Sequence, residues 1–159
     1  MSTFLLAFDP GASGGVAFGL DTGEPGIEKL ADGPDNIAKQ LHRIISSAPE
    51  NVPVRTVIEL VGGFAGRGLP GSMMFNFGAS YGTLLGMMAV LGISPQKVPP
   101  QVWQRKLGIG TRGALSKTEW KNKLKATAAL LYPKLKVTLA TADALLLWHI
   151  QKQTPCPTP

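Results

Sequence analysis

Three acidic residues stand where a carboxylate is costly. Asp9 closes the apolar run Phe4-Leu5-Leu6-Ala7-Phe8, Glu59 closes Val57-Ile58, and Asp143 opens the apolar stretch Ala142 to Ile150. A carboxylate beside a core is unfavourable unless something pairs it. Three of them on separate elements point to one shared partner. Left alone they would repel, and at least one would stay protonated. A pair of Mg2+ ions, or Mn2+ in their place, would remove that repulsion. Two such ions about 4 Å apart activate a water and steady the leaving oxygen in phosphodiester hydrolysis. Each acid also has an ordinary reading. Asp9 before Pro10-Gly11 suits a turn, Glu59 could pair with Arg55 or Arg67, and Asp143 suits the first turn of a helix. The joint explanation covers all three at once.

The cations point the same way. The net charge is +6 and the pI about 9.7. Such an excess favours a polyanion, because Lys and Arg near phosphates release counterions. Candidate DNA contacts are Arg67, Arg105, Lys106, Arg112 and the row Lys117, Lys121, Lys125, four apart on one helix face. The alternative for that row is a solvated face. Gly108-Ile109-Gly110-Thr111-Arg112-Gly113 is glycine-rich and basic, so its backbone amides could reach phosphates. His42 and His149 share no element end with the acids and read as structural. Trp103, Trp120 and Trp148 read as core or interface.

Elements must bring the acids together. The sequence predicts strands at Thr3–Phe8 and Gly14–Leu20, joined by a turn, with a weaker strand near Ile27 to Ala31. Asp35 is the expected N-cap of a helix with Ile37, Leu41, Ile44, Ile45 and Ala48 inward, ending before Pro49. Arg55 to Leu60 reads as a buried strand and Lys97 to Pro99 as a short one. Between them Ser72 to Leu91 reads as a helix. Its Gly78, Gly82 and Gly86 form a smooth face for the sheet or for a second subunit. Ser116 and Glu119 form a capping box, with Trp120, Leu124, Thr127, Ala128 and Leu131 as the inner stripe and Pro133 as the stop. A last helix is expected from Ala142 to Gln151 behind Thr141. Strands first, then alternating helices and strands, give an α/β fold: a mixed sheet with helices on its faces.

The length of 159 residues suits one domain, 1–151, with a disordered Pro-rich tail at 152–159. A single cysteine, Cys156, permits no internal disulfide and suits a reducing compartment. No secretion signal is visible, so a cytoplasmic or organelle-stroma setting is expected. The uncharged stretch Ser72 to Gln96 holds Asn76, Ser80, Thr83 and glycines, and reads as a buried helix in preference to a membrane span.

Asp9-Pro10-Gly11-x-Ser13-Gly14, Val57-Ile58-Glu59 and Ala142-Asp143-Ala144-Leu145 resemble the ordered acidic motifs of RuvC-type Holliday junction resolvases. Phe77-Gly78-x-x-x-Gly82-x-Leu84-x-Gly86, Val98-Pro99 and Trp103 look most like the chloroplast and phage branches. The resemblance spans about residues 3 to 150. It implies a ribonuclease H-like five-stranded mixed sheet with helices on both faces. It also implies a homodimer acting on four-way DNA junctions with Mg2+, with Asp9, Glu59 and Asp143 as ligands and catalytic acids. The region of Phe64 and Phe75 would lie at the junction centre, where one aromatic could wedge between bases. The family's fourth acidic ligand falls at Ala140 here, so a junction-binding protein with weak or no cleavage is the alternative. Asp9-Pro10-Gly11-x-x-Gly14 also resembles the phosphate hairpin of actin-like ATPases. A second hairpin and second lobe are missing for that reading, and no nucleotide cofactor is expected.

Overall fold

The computed structural model describes residues 2–11, 13–62 and 70–154. Strand β1 (Phe4–Asp9) pairs antiparallel with β2 (Gly15–Leu20), which pairs antiparallel with β3 (Gly26–Lys29). Helix α1 (Pro34–Ser46) then carries the chain to β4 (Val54–Glu59), parallel to β1. Helix α2 (Gly71–Val90) precedes β5 (Gln96–Val98), parallel to β4. Helices α3 (Pro100–Lys106), α4 (Lys117–Leu131) and α5 (Ala142–Gln153) complete the chain. The five strands form one sheet in the order β3-β2-β1-β4-β5. This is the mixed α/β sandwich that the strand and helix patterns imply.

Alternation along β1 divides the core. Leu5 and Ala7 face the layer of α3, α4 and α5, with Trp103, Trp120, Leu124, Leu145 and Trp148. Phe4, Leu6 and Phe8 face α1 and α2, with Ile37, Leu41, Ile44, Leu84 and Met88. Both faces of β1 are covered, which explains its unbroken apolar run. Helix α5 is buried on nearly every side, so its apolar residues show no helical stripe. Full burial of Leu145, Leu146 or Leu147 contributes roughly 1.5–3 kcal/mol apiece.

Several expectations change at the element ends. Pro34 is the first residue of α1 and Gly33 its N-cap, so Asp35 is a first-turn acid and not the cap. Proline fits that position because its missing N–H has no intrahelical partner there. The Ser116–Glu119 capping box forms as predicted. The stripe of α4 ends at Ala128, however: Leu131 is 42% exposed, and Tyr132 takes the inward place. Thr141 stands at the N-cap position of α5 as expected, but its side chain makes no cap bond; its hydroxyl accepts from Thr138 N at 3.0 Å. Helix α5 runs on to Gln153, so Lys152 and Gln153 are helical, while 155–159 lie outside the described residues. Helix α3, begun by Pro100 and carrying Trp103, was not foreseen. Among the described residues no helix is long and apolar enough to cross a membrane.

The glycine face of α2 does not meet the sheet. A methyl group added at Gly78, Gly82 or Gly86 would touch nothing within 4 Å. Leu84 and Met88 supply the buried side of the helix instead. Met73, Phe75 and Val90 are 56%, 74% and 88% exposed. Phe75 is therefore not a core residue. Phe77 is half-buried, and one of its ring carbons lies 3.7 Å from where a Gly11 side chain would begin.

Candidate active site

Parallel pairing sets the first two acids side by side. Phe8 is in register with Ile58, so the next residues, Asp9 and Glu59, end adjacent strands at the same edge of the sheet. The third acid arrives by close packing. Asp9 pairs with Gly15, and the Ala140 carbonyl lies 2.4 Å from where a Gly15 side chain would begin. Only glycine allows that approach. It docks the segment before α5 on β2 and sets Asp143, 3% exposed, beside the strand ends. Gly14 is equally constrained, because the Asp9 carbonyl stands 2.0 Å from its missing side chain.

The three carboxylates feel one another. Burial, then the charges of Asp9 and Asp143, pushes Glu59 up to about 8; the Trp103 hydrogen bond and Lys121 oppose the rise. Burial and Asp143 push Asp9 up to about 6 against Lys121 and the Gly11 amide. Asp143 Oδ1 is buried with no hydrogen-bond partner among the described residues. A buried, unpartnered carboxylate oxygen among mutually repelling acids suits a cation. The donors are all oxygen, which fits Mg2+ or Mn2+. Asp9, Glu59 and Asp143 would hold it. Among the described residues no three acidic, histidine or cysteine side chains already close around a single point. The place beside Asp143 Oδ2 is taken by the Lys121 ammonium.

Lys121 is thus a member of the acid cluster and not part of an outward lysine row. Burial alone would lower its pKa, but Asp143, Asp9 and Glu59 together raise it, so it stays charged. Lys121 is expected as a DNA contact, whereas Trp103 is a residue that the sequence does not assign to the site. Its ring is fully buried, and Nε1 donates to Glu59 Oε2 at 2.9 Å. A buried indole needs an acceptor for its one N–H. That requirement, with Val98 in register with Glu59, was the available signal. His149 bonds Tyr132 and Gln153 away from the acids, as a structural residue.

Arg105, Arg112, Lys117 and Lys121 border one cleft between α3 and α4. Lys106 and Lys125 do not line it, and Arg67 lies outside the described residues, as does Phe64. Glycines with positive φ at 108, 110 and 113 shape the loop that joins the two helices. Lys123 fastens this loop to α4 by donating to the Ile109 carbonyl at 2.8 Å.

No protein-family model matches the chain, and no curated protein matches it by sequence. Solved structures do match. One is Thermus thermophilus RuvC in complex with a Holliday junction substrate, with a TM-score of 0.57 and 13% identity over 93% of this chain and 91% of that one. Another is Thermus thermophilus RuvC, with a TM-score of 0.55 and 15% identity over 94% and 92%. The chain therefore has a RuvC-like fold, a mixed five-stranded sheet with helices on its faces.

Proposed function

We propose that this chain is a metal-dependent endonuclease that resolves four-way DNA junctions by paired symmetric nicks. The observation that supports the reading is that Asp9 and Glu59 end adjacent strands and both feel the charge of Asp143, whose Oδ1 has no partner among the described residues. Bound Mg2+ would lower the pKa of a water and offset the charge developing on the phosphate. The protein's own groups do the rest. Trp103 holds Glu59 in one orientation. Lys121 keeps the buried cluster partly neutral and offers its ammonium to an incoming phosphate oxygen. Arg105, Arg112 and Lys117 hold the strand alongside.

Two nicks need two copies. The exposed apolar side of α2 supports a homodimer. Between α1 and α2 a groove of about 470 Å³ is lined by Leu41, Gly82, Gly86, Met87 and Val90. Glycine there leaves room for a partner helix. Among the described residues, exposed Phe75 at the start of α2 is available for stacking on bases at the junction centre.

The test is a synthetic four-way junction with Mg2+ or Mn2+. Symmetric paired nicks, lost in Asp9→Asn, are expected. Cleavage that survives the substitution, or equal cutting of linear duplex, overturns the reading. A second reading, a junction-binding protein with little activity, is favoured by Ala140 at the fourth-ligand position and by Lys121 within the cluster. It expects tight, salt-sensitive binding, negligible cutting, and a gain of cleavage in Ala140→Asp.

A further inference from the structure

Neighbouring residues on two helices tie one cleft to the acids. On α3, Trp103 donates to Glu59 while Gln104 accepts from Trp120 Nε1 at 3.3 Å. On α4, Trp120 is that donor and Lys121 donates to Asp143. The cleft between these helices, about 490 Å³, therefore opens beside the acid cluster and has Lys121 as a shared wall. Its volume lies within the usual range for small-ligand pockets.

Most of the polar side chains that line it are cationic donors, with Gln101 and Thr111 able both to donate and to accept. Arg105, Arg112, Lys117 and Lys121 can only donate. Arg112 is oriented by its Nε, which donates to the Leu115 carbonyl at 3.0 Å, and its terminal nitrogens remain for a ligand. Gln104 would ordinarily offer both an acceptor and a donor. An indole N–H only donates, so Trp120 engages the amide oxygen and orients the side chain; the oxygen keeps one lone pair, and the NH2 group is the part left wholly unengaged. The matching ligand is anionic and rich in acceptors. A nucleotide has both properties: its phosphate meets the cations, and guanine O6 and N7 or thymine O4 meet an amide NH2.

We infer that this cleft seats the nucleotide next to the scissile phosphate and that Gln104 reads the acceptor edge of its base, setting the cleavage preference. Placing the scissile phosphate at the acids rests on the nuclease reading above; the cleft's choice of base does not.

The experiment separates the two. The full chain carrying Asp9→Asn is used to select from four-way junctions randomised around the crossover, so binding is read without cleavage. Guanine or thymine should be enriched at one position by on the order of five-fold. Adding Gln104→Leu should flatten that enrichment. Gln104→Glu keeps an acceptor for Trp120, and so the local packing, but replaces the NH2 by oxygen; it should shift the enrichment to adenine or cytosine, whose amino groups donate. Arg112→Ala and Lys117→Ala should weaken binding evenly across sequences, each lowering the salt slope by about one. Enrichment unchanged in both Gln104 variants, or no enrichment before substitution, overturns the inference. Enrichment that depends on Gln104 in a chain whose wild type never cuts upholds the cleft and removes only the nuclease reading.

Discussion

The Lys121 ammonium donates to Asp143 Oδ2, and the other oxygen of the same buried carboxylate, Oδ1, has no partner among the described residues. One oxygen of Asp143 is paired from within the chain, and the proposed cation would take the other. Lys121→Met should therefore lower the melting temperature in EDTA. A fully buried broken pair would cost about 3–5 kcal/mol; the lysine is 36% exposed, so about 1–2 kcal/mol is the expectation. Mn2+ should restore more stability to the variant than it adds to the wild type. Equal metal-induced shifts in the two proteins would show that Lys121 and the metal do not compete.

Asp9→Asn, Glu59→Gln and Asp143→Asn should each reduce junction cleavage by roughly a thousandfold, because each removes a negative oxygen donor from the cation. Junction affinity in gel shifts should hold or rise, since one charge that repels phosphate is gone. A variant that loses binding and cleavage in proportion would point to misfolding, which circular dichroism would reveal.

Trp103→Phe keeps most of the buried ring and deletes the donor to Glu59. Partners of metal ligands are typically worth 10–100-fold in metal affinity, so an approximately tenfold weaker Mn2+ affinity by calorimetry is expected. Trp103→Leu should also open a cavity and lower the melting temperature further. Unaltered Mn2+ affinity in the Phe variant would leave Trp103 as packing only.

The raised carboxyl groups make stability fall with pH when metal is withheld. Glu59 rises from its ordinary 4.5 to about 8 and Asp9 from 3.8 to about 6. Between those limits the folded chain binds more protons than the unfolded one, so stability is full below about pH 4 and is lost as pH rises through 6 and then 8. Thermal scans in EDTA from pH 5 to 9 should show the decline, and Glu59→Gln should flatten its upper part. Metal uptake should release protons and strengthen over the same interval. A flat profile in the wild type would contradict the assigned environments.

Gly82→Leu should abolish self-association without unfolding the chain, because a Cβ added at Gly82 meets nothing within 4 Å in the single copy and the groove beside it has room for the rest of the side chain. In sedimentation the variant should be a monomer, and paired nicks should give way to single ones. Gly82→Ala removes backbone freedom from a helix interior and should stabilise α2 by up to about 1 kcal/mol. A Gly82→Leu protein that still dimerises places the interface elsewhere.

Local chemistry made much of this molecule legible. The apolar runs ending on Asp9 and Glu59, the Ser116–Glu119 capping box and the apolar stretch around Asp143 each depend on near neighbours, and each formed as read. Pairing register then follows from which strand faces are buried, so the two strand-end acids were bound to meet. Long-range contacts were hidden. Lys121 looks like any helix-surface lysine until α4 packs on α5 and its ammonium reaches Asp143. Trp103 has no polar role until β5 and α3 carry its N–H to Glu59, and Gln104 is oriented with its NH2 group free only when Trp120 donates to its oxygen. The outward turn of the α2 glycines likewise depends on Leu84 and Met88 winning the core side. Patterns along a chain report which residues avoid water; which buried polar groups satisfy one another is decided by the packing of distant segments, where an unpaired group is too costly to leave.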